Sequence, residues 1–246
     1  MTARTPRTRR TLRALVLAPL LAALGLFGSL AAPSQAAPAS PAAAWETCDQ
    51  WGTWQNGGYT LYNNIWGQGA GSQCIAADSA SRWTVRADHP NTGGVKSYPN
   101  AKYVVGRPIS GISTLNSTFD VTVPSAGAYN TSYDVWDSDH QHEIMIWPNW
   151  HGAVGPIGGK VTDVSLGGRQ WAVYKGSNGN NNVYSFLAAQ QTKSGRIDIK
   201  PVLDWIVRQG WMPSNEVIGD VQFGYEITSS SGGLDFRTNS FGVTAN

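Results

Sequence analysis

The sequence predicts an all-β fold: two packed antiparallel sheets, a sandwich or jelly roll, with a single helix. Three observations predict it. Short stretches alternate apolar and polar residues with period two, as half-buried strands do. Clusters of Gly, Asn and Ser separate those stretches. Only one segment carries helical spacing. Strands are read over 59–66, 83–87, 103–105, 117–123, 128–136, 143–147, 159–166, 169–175, 183–188, 221–228 and 236–243. Gly167-Gly168 reads as a hairpin turn between two of them. In the helical segment Ile199, Val202, Leu203 and Ile206 recur between Asp198, a candidate N-cap, and Gly210.

Not all of the 246 residues belong to this fold. Residues 1–36 hold five arginines and no acidic residue, then an apolar run from Ala14 to Leu30 and small residues ending at Ser34-Gln35-Ala36. That order is a cleaved secretory signal peptide, so the product is expected to be secreted and extracellular, free of the membrane after cleavage. Residues 37–46 are expected to form a short flexible leader, and 47–246 a single catalytic domain, monomeric. Of the 18 Lys and Arg, five lie in the signal; the remainder sets 13 against 16 acidic residues, a net −3. No basic stripe is left for a nucleic acid. Cys48 and Cys74 are the only cysteines. In an exported chain such an isolated pair is expected to form a disulfide, because no CxxC or flanking His suggests redox or metal chemistry.

Two strands carry the chemistry. In His142-Glu143-Ile144-Met145-Ile146-Trp147, Glu143, Met145 and Trp147 share one face and the isoleucines the other. In the 221–228 strand, Gln222, Gly224, Glu226 and Thr228 oppose an apolar face. Either glutamate alone could be an ordinary solvent-facing position. Together, each beside groups suited to a cleft, they suggest a glycosidase pair, one carboxyl held protonated and one ionised. Spacing does not say which is which. Asp134 and Trp136 share a face, and the short connection 137–142 would bring one of them close to Glu143. Tyr62, Asn64 and Trp66 point to one side of the 59–66 strand, an indole beside an amide that suits a sugar ring. His140 and His142 could tempt a metal reading, but no third ligand stands at an obvious spacing, and a solvated turn is the better account. No metal or organic cofactor is expected.

These stretches resemble the glycoside hydrolase family 12 endoglucanases, especially the secreted actinobacterial ones. The matching runs are Asn63-Asn64-Ile65-Trp66-Gly67, Lys96-Ser97-Tyr98-Pro99, Tyr133-Asp134-Val135-Trp136, Glu143-Ile144-Met145-Ile146-Trp147, Gly155-Pro156-Ile157-Gly158, Gly176-Ser177-Asn178-Gly179, Val221-Gln222-Phe223-Gly224-Tyr225-Glu226 and Thr238-Asn239-Ser240-Phe241. The resemblance implies a jelly roll whose concave sheet forms an open cleft for a β-1,4-glucan, and a retaining double displacement without cofactor. It implies Glu143 as nucleophile, Glu226 as acid/base and Asp134 as the carboxylate contacting the nucleophile. Asn64, Trp66, Met145 and Trp147 are the implied sugar contacts, and Cys48–Cys74 matches the family's N-terminal disulfide. Two departures stand out. The 137–142 loop is short and bears histidine, and Thr228 replaces a frequent aromatic, which points to a weaker aglycone-side contact. Cellulose-type glucans are the expected substrate; xyloglucan, mixed-linkage glucan or xylan, or a non-catalytic carbohydrate-binding relative, are the alternatives.

Overall fold

The computed structural model describes residues 43–246. The expected signal peptide, and the leader up to residue 42, lie outside the described residues. In chain order the first strands are β1 (Trp45–Thr47), β2 (Thr53–Asn56), β3 (Tyr59–Tyr62), β4 (Ser72–Ser79), β5 (Arg82–Asp88) and β6 (Asn100–Pro108). Then come β7 (Leu115–Thr122), β8 (Ala128–Asp137), β9 (His142–His151), β10 (Gly159–Leu166), β11 (Arg169–Ser177), β12 (Asn182–Ala188) and β13 (Ser194–Asp198). The helix α1 (Lys200–Arg208) precedes β14 (Val217–Ser229) and β15 (Leu234–Ala245).

They form two sheets. One has six strands in the order β1-β4-β5-β15-β7-β13; the other has nine, β10-β11-β12-β9-β8-β14-β6-β3-β2. The core lies between them, because alternate residues of each strand turn inward: Ile144 and Ile146 from β9, and Val221, Phe223, Tyr225 and Ile227 from β14, join Trp83, Phe119 and Phe236 from the smaller sheet. The opposite face of the nine-stranded sheet therefore carries Glu143, Met145 and Trp147 on β9, and Gln222 and Glu226 on β14. All-β, two sheets and one helix are as the sequence reads. One pair departs from antiparallel order: β12 runs parallel to β9, with Asn182 opposite His142 and Val183 opposite Glu143.

Four local expectations need correction. The flexible leader was expected through residue 46, but Trp45 and Glu46 belong to β1, opposite Ala77 and Ala76. Trp45 stacks on Trp54 with ring centroids 5.8 Å apart, which gives that end an apolar anchor. The 59–66 strand stops at Tyr62, since Asn64 takes a left-handed φ of 45°. The amides of Asn63 and Ile65 go instead to the carbonyls of Gly52 and Gln50. Asp198 does not cap α1. It is the last residue of β13, and the cap is Ile199, whose carbonyl takes the amides of Val202 and Leu203 with no side-chain bond. Strands β1, β2, β4 and β13 were not expected at all. The Gly167-Gly168 turn holds, with Leu166 opposite Arg169 and φ of 56° and 75°. Cys48 and Cys74 form the disulfide.

Candidate active site

Alternation along β8, β9 and β14 sends one set of side chains into a cavity of about 590 Å³ on the outer face of the larger sheet. Asn64, Trp66, Tyr98, Asp134, Glu143, Met145, Trp147 and Glu226 all line it. The three expected carboxyls and the four expected sugar contacts are thus gathered in one place. β8 runs between the two glutamate strands and sets their rows: Trp136 stands opposite Glu143, Asp134 opposite both Met145 and Gln222, and Asn130 opposite Glu226. Thr228 is half-buried and is not among the lining residues, so the weak aglycone contact expected there has no counterpart in the cavity wall.

The three carboxyls sit in surroundings that oppose ionisation. Burial pushes Glu143 up to about 7, repulsion from Glu226 adds to it, and a hydrogen bond donated by Asn181 Nδ2 to Oε2 at 3.3 Å holds it down. Asp134 is raised well above the ordinary carboxylate range by burial and then by both glutamates, against a 2.9 Å hydrogen bond from Ser132 Oγ. Glu226 is raised by burial and restrained by Asn130, whose Nδ2 donates to Oε2 at 2.6 Å. Groups so close cannot all ionise cheaply, and protons are shared within the cluster. Tyr98, pressed against it and donating its hydroxyl to the Ser132 carbonyl, has its own ionisation raised by burial and by Asp134.

Asn130, Asn181 and Tyr98 escaped sequence reasoning. Asn181 reaches Glu143 only because the parallel β9–β12 pair starts both strands at one end, setting the 178–181 turn beside the Glu143-bearing strand. A run of Asn next to a strand start was the available signal, and it reads equally well as a plain turn. Tyr98 sits on a segment tied to both sides of the cleft. Ser97 bridges Ile65 and Ile227, and the Lys96 carbonyl takes the amides of Trp66 and Gly67. Below it lies a buried polar network. His89 accepts the Gly71 amide on Nδ1, so its Nε2 carries the proton toward Gln73 Oε1 and Ser97 Oγ.

The aromatic residues divide. Trp66 stands 51% exposed on the rim, an open platform. Met145 and Trp147 instead pack with Val183 and Leu187 in a small cluster beneath the cavity. Trp147 is nearly buried, and its Nε1–H finds no acceptor among the described residues. The His140–His142 pair gains no third ligand; a different trio, Asp137, His142 and Glu216, brings ligand atoms within 4.8 Å of one another among the described residues. Two of them already serve the hairpin, Asp137 Oδ1 accepting the His142 amide and His142 Nδ1 meeting the Tyr184 hydroxyl.

The model of Glycosyl hydrolase family 12 matches residues 57–246. The chain belongs to that family. Among family 12 relatives, it is 36% identical over 203 residues to a probable xyloglucan-specific endo-β-1,4-glucanase A of Aspergillus terreus, covering 75% of this chain and 81% of that one. The xyloglucan-specific endo-β-1,4-glucanase A of Emericella nidulans is 34% identical, with 80% and 90% covered. Of solved structures, the xyloglucanase domain of NopAA, a type three effector from Sinorhizobium fredii in complex with cellobiose, superposes with a TM-score of 0.80 at 38% identity, over 82% of this chain and 99% of that domain. Endoglucanase cel12A from Rhodothermus marinus gives 0.76 at 27% identity, with the same coverage. Among the described residues no helix is long and apolar enough to cross a membrane.

Proposed function

We propose that this family 12 member is a secreted, monomeric endo-β-1,4-glucanase working by a retaining double displacement, with its catalytic domain beginning at β1 rather than at residue 47. The observation that carries the reading is the three-carboxyl cluster in the cavity floor, with Glu143 and Glu226 on either side of β8. In the first step Glu143 attacks the anomeric carbon as the bond to the departing oxygen breaks and Glu226 gives that oxygen its proton. A glycosyl ester results. In the second step Glu226 takes a proton from water, which attacks the same carbon and releases Glu143.

Burial serves both roles, since it favours a protonated Glu226 and makes an ionised Glu143 poorly solvated and reactive. Asp134 supports Glu143 by holding a proton beside it while Glu143 is charged. Trp66 and Asn64 receive the glucan at the rim, and Met145 lies under the reacting ring with Trp147 beside it. Xyloglucan is the second substrate reading, favoured by the activity carried in the names of the relatives above. The test is to express residues 37–246 and measure reducing ends from carboxymethylcellulose, barley β-glucan, xyloglucan and xylan, beside Glu143→Gln and Glu226→Gln. Wild-type rates in either variant would falsify the assignment, and inversion of the first-formed anomer by NMR would exclude the double displacement.

A further inference from the structure

The 137–142 turn is built more firmly than its length suggests. Ser138 donates its amide to the Val217 carbonyl, Asn182 donates to the Gln141 carbonyl, and His142 donates to Asp137 Oδ1. Gly219, at the β14 irregularity between Ile218 and Asp220, lets the turn lie close, because a Cβ there would come within 3.2 Å of the Ser138 Cα. At its tip His140 is held at a φ of 54°, a conformation that costs a residue with a Cβ about 1 kcal/mol or more. In that conformation the ring lies 5.5 Å from Trp136, and both line the cavity. Gln222 lines it as well, and its Nε2 donates to Asp220 Oδ1 at 3.0 Å, which fixes the amide.

The sheet register says what this corner can meet. The scissile bond must pass between the two glutamates, hence over β8 between the row of Asn130 and the row of Trp136. Trp136 bounds that path on the Glu143 side, and His140 stands beyond it. A backbone that follows this path has Trp136 and His140 at its flank, where a sugar hanging from it would be met. An indole, an imidazole and an oriented amide are the groups that hold a pyranose by its face and its hydroxyls.

We infer that Trp136 and His140, flanked by Gln222 in the Asp134 row, form a subsite for a pendant sugar of a branched β-1,4-glucan, with His140 as its specificity-determining wall. The inference rests on the glucanase reading above and extends it to a substrate class. Two variants delete the ring while tolerating the left-handed backbone: His140→Gly and His140→Asn. The readout is the ratio of kcat/KM on xyloglucan to that on unbranched barley β-glucan, with thermal midpoints measured alongside. Losing one stacking and hydrogen-bonding contact at a rim should lower that ratio about fivefold in both variants. An unchanged ratio, a raised one, or a fall in the glycine variant alone overturns the subsite. A wild-type protein active on β-glucan but inert on xyloglucan also overturns it, whereas one inert on every glucan defeats the glucanase reading itself.

Discussion

Replacing Glu143 by Gln should stabilise the protein, and do so only where the carboxyl would be charged. Folding raises this group from an ordinary 4.5 to about 7. The folded state therefore binds the proton more tightly than the unfolded one. Below about pH 4.5 both states are protonated and there is no penalty. As pH climbs the unfolded chain ionises first, and the stability deficit grows until it is complete above about pH 7. An increase of that size corresponds to about 3 kcal/mol. For a domain of this length that is roughly 6–12 °C in Tm. Glutamine retains the shape and can still accept from Asn181 while removing the charge. Calorimetric scans of both proteins at pH 4 and pH 8 should thus show nearly equal midpoints at the acid end and a clearly higher one for the variant at the alkaline end. A difference of the same size at both pH values would mean that the charge is not what the fold resists, and the account of the site's electrostatics would fail.

Asn181→Ala removes the amide that holds Glu143 down, so the acid limb of the kcat/KM profile should move to higher pH, with about a fivefold loss below pH 7; a limb moving the other way contradicts the role given to that bond. Cys48→Ser with Cys74→Ser opens a loop of sequence separation 26 and should lower stability by about 3 kcal/mol, read as a denaturant midpoint. Gly224→Ala places a Cβ 2.0 Å from the Pro99 carbonyl oxygen and 2.8 Å from the Asn100 Cα. Backbone must move, so a loss of about 2–3 kcal/mol is expected together with a fall in kcat as Tyr98 shifts; wild-type values for both would show that the approach is not needed.

The strands that were legible in the sequence are those whose inward positions are large and apolar. β9 and β14 announce themselves through Ile144, Ile146, Phe223 and Tyr225 alternating with polar residues, and the carboxyls follow at once from the same period. β4 does not. Its inward residues include Gln73, which is buried because Asn63, His89 and Ser97 satisfy it, and a short Ala77. β13 buries Ile197 alone and is a strand because β7 pairs with it. Asn64 and Trp66 were placed on the right side for an incomplete reason. They reach the cleft through a left-handed turn pinned by Lys96 and Tyr98, not through strand alternation. Asn130 and Asn181 could be assigned only after the pairing of β8 with β14 and of β12 with β9 was in hand, since no local pattern encodes which distant strand lies alongside.

The strand order has a consequence for how the molecule comes into being. β14 lies between β8 and β6, and β15 between β5 and β7, so the last stretch of chain supplies an interior strand to each sheet. A nascent polypeptide lacking residues 217–246 holds two split sheets with bare hydrogen-bonding edges, and it has no Glu226. Closing those gaps requires pairing across long sequence separations, which is slow and must await synthesis of β14 and β15. Truncations that remove β14 and β15 should therefore yield aggregating fragments rather than weakened enzymes.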